Sequence, residues 1–194
     1  MITVENQLFS LHTRHTSYLF RVMETGHLEH LYYGRKIHPA IDGLMEQHAF
    51  APGNTNIYDS EHLQFSLEDA CLEMSSFGKG DIREPFVELT LSDGSETSDF
   101  LFEKFEQGTG KEEFETLPGS YDESGEVEWL GVTLRDKNSG VILELHYYVY
   151  EDCDMITRSA KLINESGDVV KLNRLMSLQL DLEPSDYVFT TFHG

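Results

Sequence analysis

A chain of 194 residues, 39% hydrophobic and 11% aromatic, is globular rather than disordered and too short for an eight-stranded (β/α) barrel, which usually needs ~250 residues. Its 14 basic and 35 acidic residues leave a formal net charge of -21. A surface this acidic repels phosphate backbones and anionic lipid, which argues against nucleic acid and membrane as partners.

The N-terminus has neither a basic start nor an apolar stretch of signal-peptide type, and no apolar run is long enough to span a bilayer. A cytoplasmic location is the expectation. Cys71 and Cys153 fit a reducing compartment, although two thiols could also close one disulfide.

Along the chain the dominant period is two, the mark of strands with one buried face. Tyr18, Phe20 and Val22 alternate with Arg21, and Leu28, Leu31, Tyr32 and Tyr33 lead to a turn at Gly34. Residues 39–60 carry neither period and hold Pro39, Gly43, Pro52 and Gly53. They read as a long loop, with a short helical turn at 44–48. Residues 86–91 alternate and end in Ser92-Asp93-Gly94, a hairpin-type signal. Phe100 to Phe102 follows, then an irregular, Gly- and Glu-rich excursion over 107–126.

Residues 129–134 form the next strand, with Trp129 expected between the sheets. Residues 136–140 make a turn, and 141–150 place Val141, Leu143, Leu145, Tyr147 and Val149 on one face. Residues 156–163 are a strand closed by Asn164-Glu-Ser-Gly167. Residues 172–182 read as the longest strand, with Leu172, Met176, Leu178, Leu180 and Leu182 on one face. Repeated short strands with Asp-Gly and Ser-Gly turns give the fold class: all-β, an antiparallel β-sandwich with long loops.

The chemistry-bearing residue types are many but scattered. The acidic residues lie on strands and turns, and nothing marks two of them as an acid–base pair. His12 and His15, and His27 and His30, are each three apart, so on a strand they face opposite sides and make no metal pair. Cys71 and Cys153 lack a CxxC partner. Gly53, Gly78 and Gly80 lie outside any phosphate-loop pattern. No cofactor, metal or catalytic residue is expected.

Two segments stand out. Residues 46–54 put Gln47, His48 and Phe50 on the long loop, a mixture suited to sugars: amide and imidazole take hydroxyls, an aromatic face takes C–H groups. The same loop reads equally as one that packs on its own domain through Phe50. In residues 75–85, Asp81 and Arg83 lie two apart and project to one side, which reads as a structural ion pair before a ligand contact.

The chain resembles the N-terminal domain of bacterial α-galactosidases of glycoside hydrolase family 36. The resemblance rests on Ala49-Phe-Ala-Pro-Gly-Asn54, Phe77-Gly-Lys-Gly-Asp-Ile-Arg-Glu-Pro85, Ile156-Thr-Arg-Ser-Ala160, and the run from Leu178 to Gly194 with Asp186-Tyr187. It implies a β-supersandwich domain over 1–194, without the catalytic barrel. In that family the nucleophile and the acid/base are barrel aspartates, so this chain alone is expected to be inactive. The parent reaction would be retaining hydrolysis of terminal α-galactosides such as melibiose or raffinose.

The resemblance also implies a homotetramer in which this domain meets its own barrel and a neighbouring subunit, with its loop helping to close the neighbour's sugar pocket. By position, Gln47, His48 and Phe50 are the substrate-binding candidates. Gln47 stands where some relatives have an acid. The alternative is a stand-alone carbohydrate-binding or assembly sandwich, against which a core position for the single tryptophan would weigh.

Overall fold

The computed structural model describes residues 1–38, 43–44, 57–114, 119–182, 186 and 188–192. Ten strands run in chain order: β1 (Ile2–Glu5), β2 (Leu8–His12), β3 (Thr16–Val22), β4 (Leu28–Arg35), β5 (Val87–Thr90), β6 (Phe100–Thr109), β7 (Glu128–Asp136), β8 (Ile142–Tyr150), β9 (Met155–Ile163) and β10 (Lys171–Leu175). They form a four-stranded sheet β1-β2-β3-β4, a second in the order β6-β7-β8-β9, and a two-stranded sheet pairing β10 with β5. Every pairing between these strands is antiparallel. The all-β sandwich expected from alternation is the fold. A 3₁₀ turn at Leu67–Asp69 interrupts the long connection, and no helix among the described residues is long and apolar enough to cross a membrane.

The two large sheets close on one core. Phe9 and Phe20 stack at 4.7 Å between ring centroids, and Phe20 stacks in turn on Tyr147 at 5.1 Å. Leu130, Val132, Leu134, Leu143 and Leu145 complete the facing layer, all essentially without solvent exposure. Burying such side chains is worth roughly 1.5–3 kcal/mol each, and the stacked rings gain a little more from their geometry.

Several expectations are corrected. The β1–β2 hairpin was not legible, because all five residues of β2 are buried and no alternation shows. Its two-residue turn puts Asn6 and Gln7 at φ 49 and 63, as a turn matched to strand twist requires. Strand β6 runs on to Thr109, well past Phe102, because β7 pairs with it along its length. The Asp93–Gly94 turn forms, with Gly94 N–H donating to the Leu91 carbonyl at 2.9 Å, but β5 leaves it to pair with β10.

The supposed long last strand stops at Leu175. A register shift between Leu172 and Arg174 breaks the alternation there; Leu175 packs on the core, and Leu172 is 48% exposed. Met176 and Leu178 are also exposed, and Leu180 packs inward.

Trp129 does not lie between the sheets. Leu130, Val132 and Leu134 take the inward positions of β7, which leaves Trp129, half-buried, on the outer face with Gly131 and Thr133. The helical turn expected at 44–48 falls, beyond Leu44, outside the described residues. Cys71 and Cys153 stand as thiols, not as a disulfide.

Candidate functional site

The long connection between β4 and β5 is tied to the sandwich by two buried acids. Glu73 has no solvent exposure and lies where β3, β4, β8 and β9 converge. Tyr18 Oη donates to its Oε1 at 2.6 Å, Tyr147 Oη at 2.7 Å and Arg158 Nη1 at 2.8 Å, while His30 Nδ1 sits 3.2 Å from Oε2. Arg158 Nη2 also donates to the Glu73 carbonyl at 2.9 Å. Burial alone pushes the Glu73 carboxyl up, but the Arg158 charge, with the His30 and Tyr18 bonds, outweighs it and holds the group below the ordinary carboxylate value. Burial and the same carboxylate push both phenols well above theirs.

Asp99, at the start of β6's approach, is the second acid. His27 Nε2 lies 3.0 Å from its Oδ1, Tyr58 Oη donates to Oδ2 at 2.8 Å, and Lys79 Nζ stands 4.0 Å from Oδ2. Here too burial raises the carboxyl and its partners, His27 first, bring it below the ordinary value. Thr25 Oγ1 closes the chain on the other side of the ring, 2.9 Å from His27 Nδ1. Tyr58 meets the His27 ring edge-on at 4.8 Å, and Lys79 sits 4.6 Å over Tyr58. The segment after residue 56 is thereby clamped to the β3–β4 hairpin. Between them opens a cavity of about 490 Å³ with Thr25, His62, Gln64 and Phe65 on its wall.

A third knot holds residues 176–182 as a strap. Arg83 Nε donates to Asp81 Oδ1 at 3.0 Å and Nη2 to Oδ2 at 3.1 Å, while Nη1 reaches Asp181 and the Ala70 carbonyl. Ser75 Oγ donates to Gln179 Oε1 at 2.7 Å, and Gln179 Nε2 to Asp181 Oδ2 at 3.2 Å. The Asp81–Arg83 pair is structural, as its spacing implied.

These carboxylates hold structure. Glu73 and Asp99 are buried among donors that favour the ionised form, the opposite of what a general acid needs. Among the described residues no group of three or more His, Cys, Asp or Glu side chains is placed to hold a metal ion. The four histidines flagged by spacing go to separate partners: His12 to Ser17, His15 to Asp154, His27 to Asp99 and His30 to Glu73. Gln47, His48 and Phe50 lie outside the described residues. Sequence reasoning missed Glu73 and Asp99, whose polar partners are dozens of residues away; the one local signal is an isolated acid in an otherwise apolar or small-residue stretch.

Residues 26–194 match the family model described as the glycosyl hydrolase family 36 N-terminal domain. The chain is 30% identical over 195 residues to a bifunctional α-galactosidase/sucrose kinase of Mediterraneibacter gnavus, covering 97% of this chain and 20% of that protein. It is also 30% identical over 192 residues to an α-galactosidase of Geobacillus stearothermophilus, covering 94% and 25%.

Among solved structures, an α-galactosidase from Lactobacillus brevis superposes with a TM-score of 0.86 at 34% identity, over 93% of this chain and 25% of that one. A Geobacillus stearothermophilus family 36 α-galactosidase in complex with raffinose gives 0.86 at 29% identity, again over 93% and 25%. The chain thus spans a quarter or less of the length of these relatives. Sequence and backbone agree along nearly its whole length, and the chain belongs to the family of glycosyl hydrolase family 36 N-terminal domains.

Proposed function

We propose that this chain is the non-catalytic N-terminal domain of an α-galactosidase, a single sandwich over 1–194 that works with a (β/α) barrel carrying the nucleophile and the acid/base. The observation that carries this reading is the extent of the match: 97% of the chain aligns with one α-galactosidase and 94% with another, yet with only 20% and 25% of their lengths. The parent protein hydrolyses terminal α-galactosides with retention, through a covalent glycosyl-enzyme. Raffinose and stachyose, present in complexes of the Geobacillus relative, are the substrate class. The domain works in the cytoplasm, where its two thiols stay reduced.

The domain's own part is assembly and pocket shaping. The loop bearing Gln47, His48 and Phe50 reaches the sugar pocket of a neighbouring subunit in a homotetramer. The Tyr58–Asp99–His27 clamp supports this, because it anchors the chain just after that loop to the rigid β3–β4 hairpin.

The test is kinetic. In the intact polypeptide, Gln47→Ala and His48→Ala should each remove one hydrogen bond to a neutral hydroxyl. That is worth roughly 0.5–1.5 kcal/mol, or about 2- to 12-fold in kcat/KM. Wild-type kinetics in both variants, with tetramers intact, would show that the loop only packs. The alternative reading, a carbohydrate-binding sandwich, gains one observation: Trp129 stands on the outer face, not in the core.

A further inference from the structure

On the outer face of the β6–β9 sheet the indole of Trp129 lies flat. Gly108 of β6 is its direct cross-strand neighbour, and Gly131 follows two residues on along β7, on the same face. A Cβ placed on Gly108 would come within 2.9 Å of Trp129 Nε1 and 3.2 Å of Cζ2, and one on Gly131 within 3.4 Å of Cζ3. The benzo ring therefore rests on both glycines at once. Neither glycine sits at a positive φ, so no turn or bulge requires them. Glycine in a strand interior weakens the strand, and it commonly marks a place where something must approach the backbone closely. Here that something is the indole, which keeps part of its surface exposed.

The surroundings give the occupant its chemistry. On β8, His146 pairs in register with Gly131 and stands 3.4 Å from Glu144; on β6, Glu106 pairs with Gly131 from the other side and is bonded to Lys104 at 2.8 Å. The other aromatic of the row, Tyr148, is buried beneath Lys111, whose Nζ is 4.5 Å from its ring centroid, whereas Trp129 is half-buried and keeps part of its surface exposed. A flat, apolar ring with charged donor and acceptor groups on both flanks suits a ligand that is apolar on its face and hydroxylated on its rim. The acidic flanks and the overall charge of -21 disfavour an anion.

We propose that Trp129, seated on Gly108 and Gly131, is a stacking platform for a neutral pyranose ring, with Glu106 and His146 taking rim hydroxyls. The site belongs to the outer sheet and goes beyond the loop of residues 46–54; only the choice of a galactoside as probe rests on the α-galactosidase reading.

Trp129 is the one tryptophan of the chain, so its emission reports this position alone. Titrating the 194-residue protein with raffinose should shift that emission saturably, in the millimolar range expected of one stacking contact. Sorbitol, which has hydroxyls but no ring face, should not shift it, and galacturonate should bind several-fold more weakly than galactose. Saturation-transfer NMR on the sugar should lose its signal in Trp129→Ala and keep it in Trp129→Phe, with far-UV dichroism unchanged in both. The proposal is overturned by an unresponsive wild-type emission, by an equal response to sorbitol, or by galacturonate binding as well as galactose. Emission that changes on dilution without sugar also overturns it, since the ring would then be meeting a second copy of the chain.

Discussion

Glu73 shows how much of this domain depends on single buried charges. Three hydrogen bonds and a nearby imidazole converge on its carboxylate, and the Arg158 side chain opposite is only 6% exposed. Removing one member of such a pair strands the other. Glu73→Gln should therefore cost about 3–5 kcal/mol, read as a lower urea midpoint. The double variant Glu73→Gln/Arg158→Met should recover part of the loss, because the uncompensated guanidinium is gone.

The pH dependence has a definite sign. The folded-state values of Glu73 and Asp99 lie below the ordinary carboxylate value, so on acidification the unfolded chain takes up protons first. Stability should hold from neutral pH down to the ordinary carboxylate range and fall as pH passes down to the lowered values. In Glu73→Gln the fall should be shallower; an unchanged acid profile would remove Glu73 from the account. Little of this was legible beforehand. The strand-spacing argument for His27 and His30 does not apply, because His27 lies in the turn before β4; they go to Asp99 and Glu73 respectively. That two acids would gather them was hidden, because Glu73 meets Tyr18, Tyr147 and Arg158 only after folding.

At the scale of elements, hydrophobic patterning located β3, β4, β7, β8 and β9, with alternation clearest in β7, although β4 runs through Gly34, read as a turn, to Arg35. It failed where the period itself is broken. Strand β2 is buried on both faces, and β10 loses its alternation at its register shift. Trp129 was misplaced for a different reason: alternation separates two faces without saying which is inner, and ring size suggested the core. The three aliphatic residues Leu130, Val132 and Leu134 against one tryptophan and a glycine give the right answer. The register of the Gly108–Trp129 pair makes its own prediction. Gly108→Val should lift the indole off the sheet and redden its emission, while leaving the sandwich folded.

Beyond one backbone bond, from Met176 N–H to the Phe86 carbonyl at 2.9 Å, side chains hold the strap over 176–182. Asp181 accepts from Arg83, Gln179 and the Leu72 N–H. Asp181→Ala should cost roughly 1.5–3 kcal/mol, the range for a hydrogen bond to a charged group, and speed amide exchange within the strap more than in β7 or β8. Uniform exchange across all three would mean that Asp181 holds nothing local.

For the whole molecule, the family was legible from four short motifs taken in order, and the comparisons extend the match over nearly the full chain. What the domain contributes to catalysis was not legible, because residue types on a loop fix no partner. Glu73 and Asp99 are committed to holding the connection between β4 and β5, and the proposed function places the chemistry in a barrel outside this domain. The most direct measurement is turnover of an aryl α-galactoside by the purified 194-residue protein. No hydrolysis above buffer is expected while far-UV dichroism reports a folded β-protein. Hydrolysis that persists through repeated purification and follows the folded chain would contradict the proposed function.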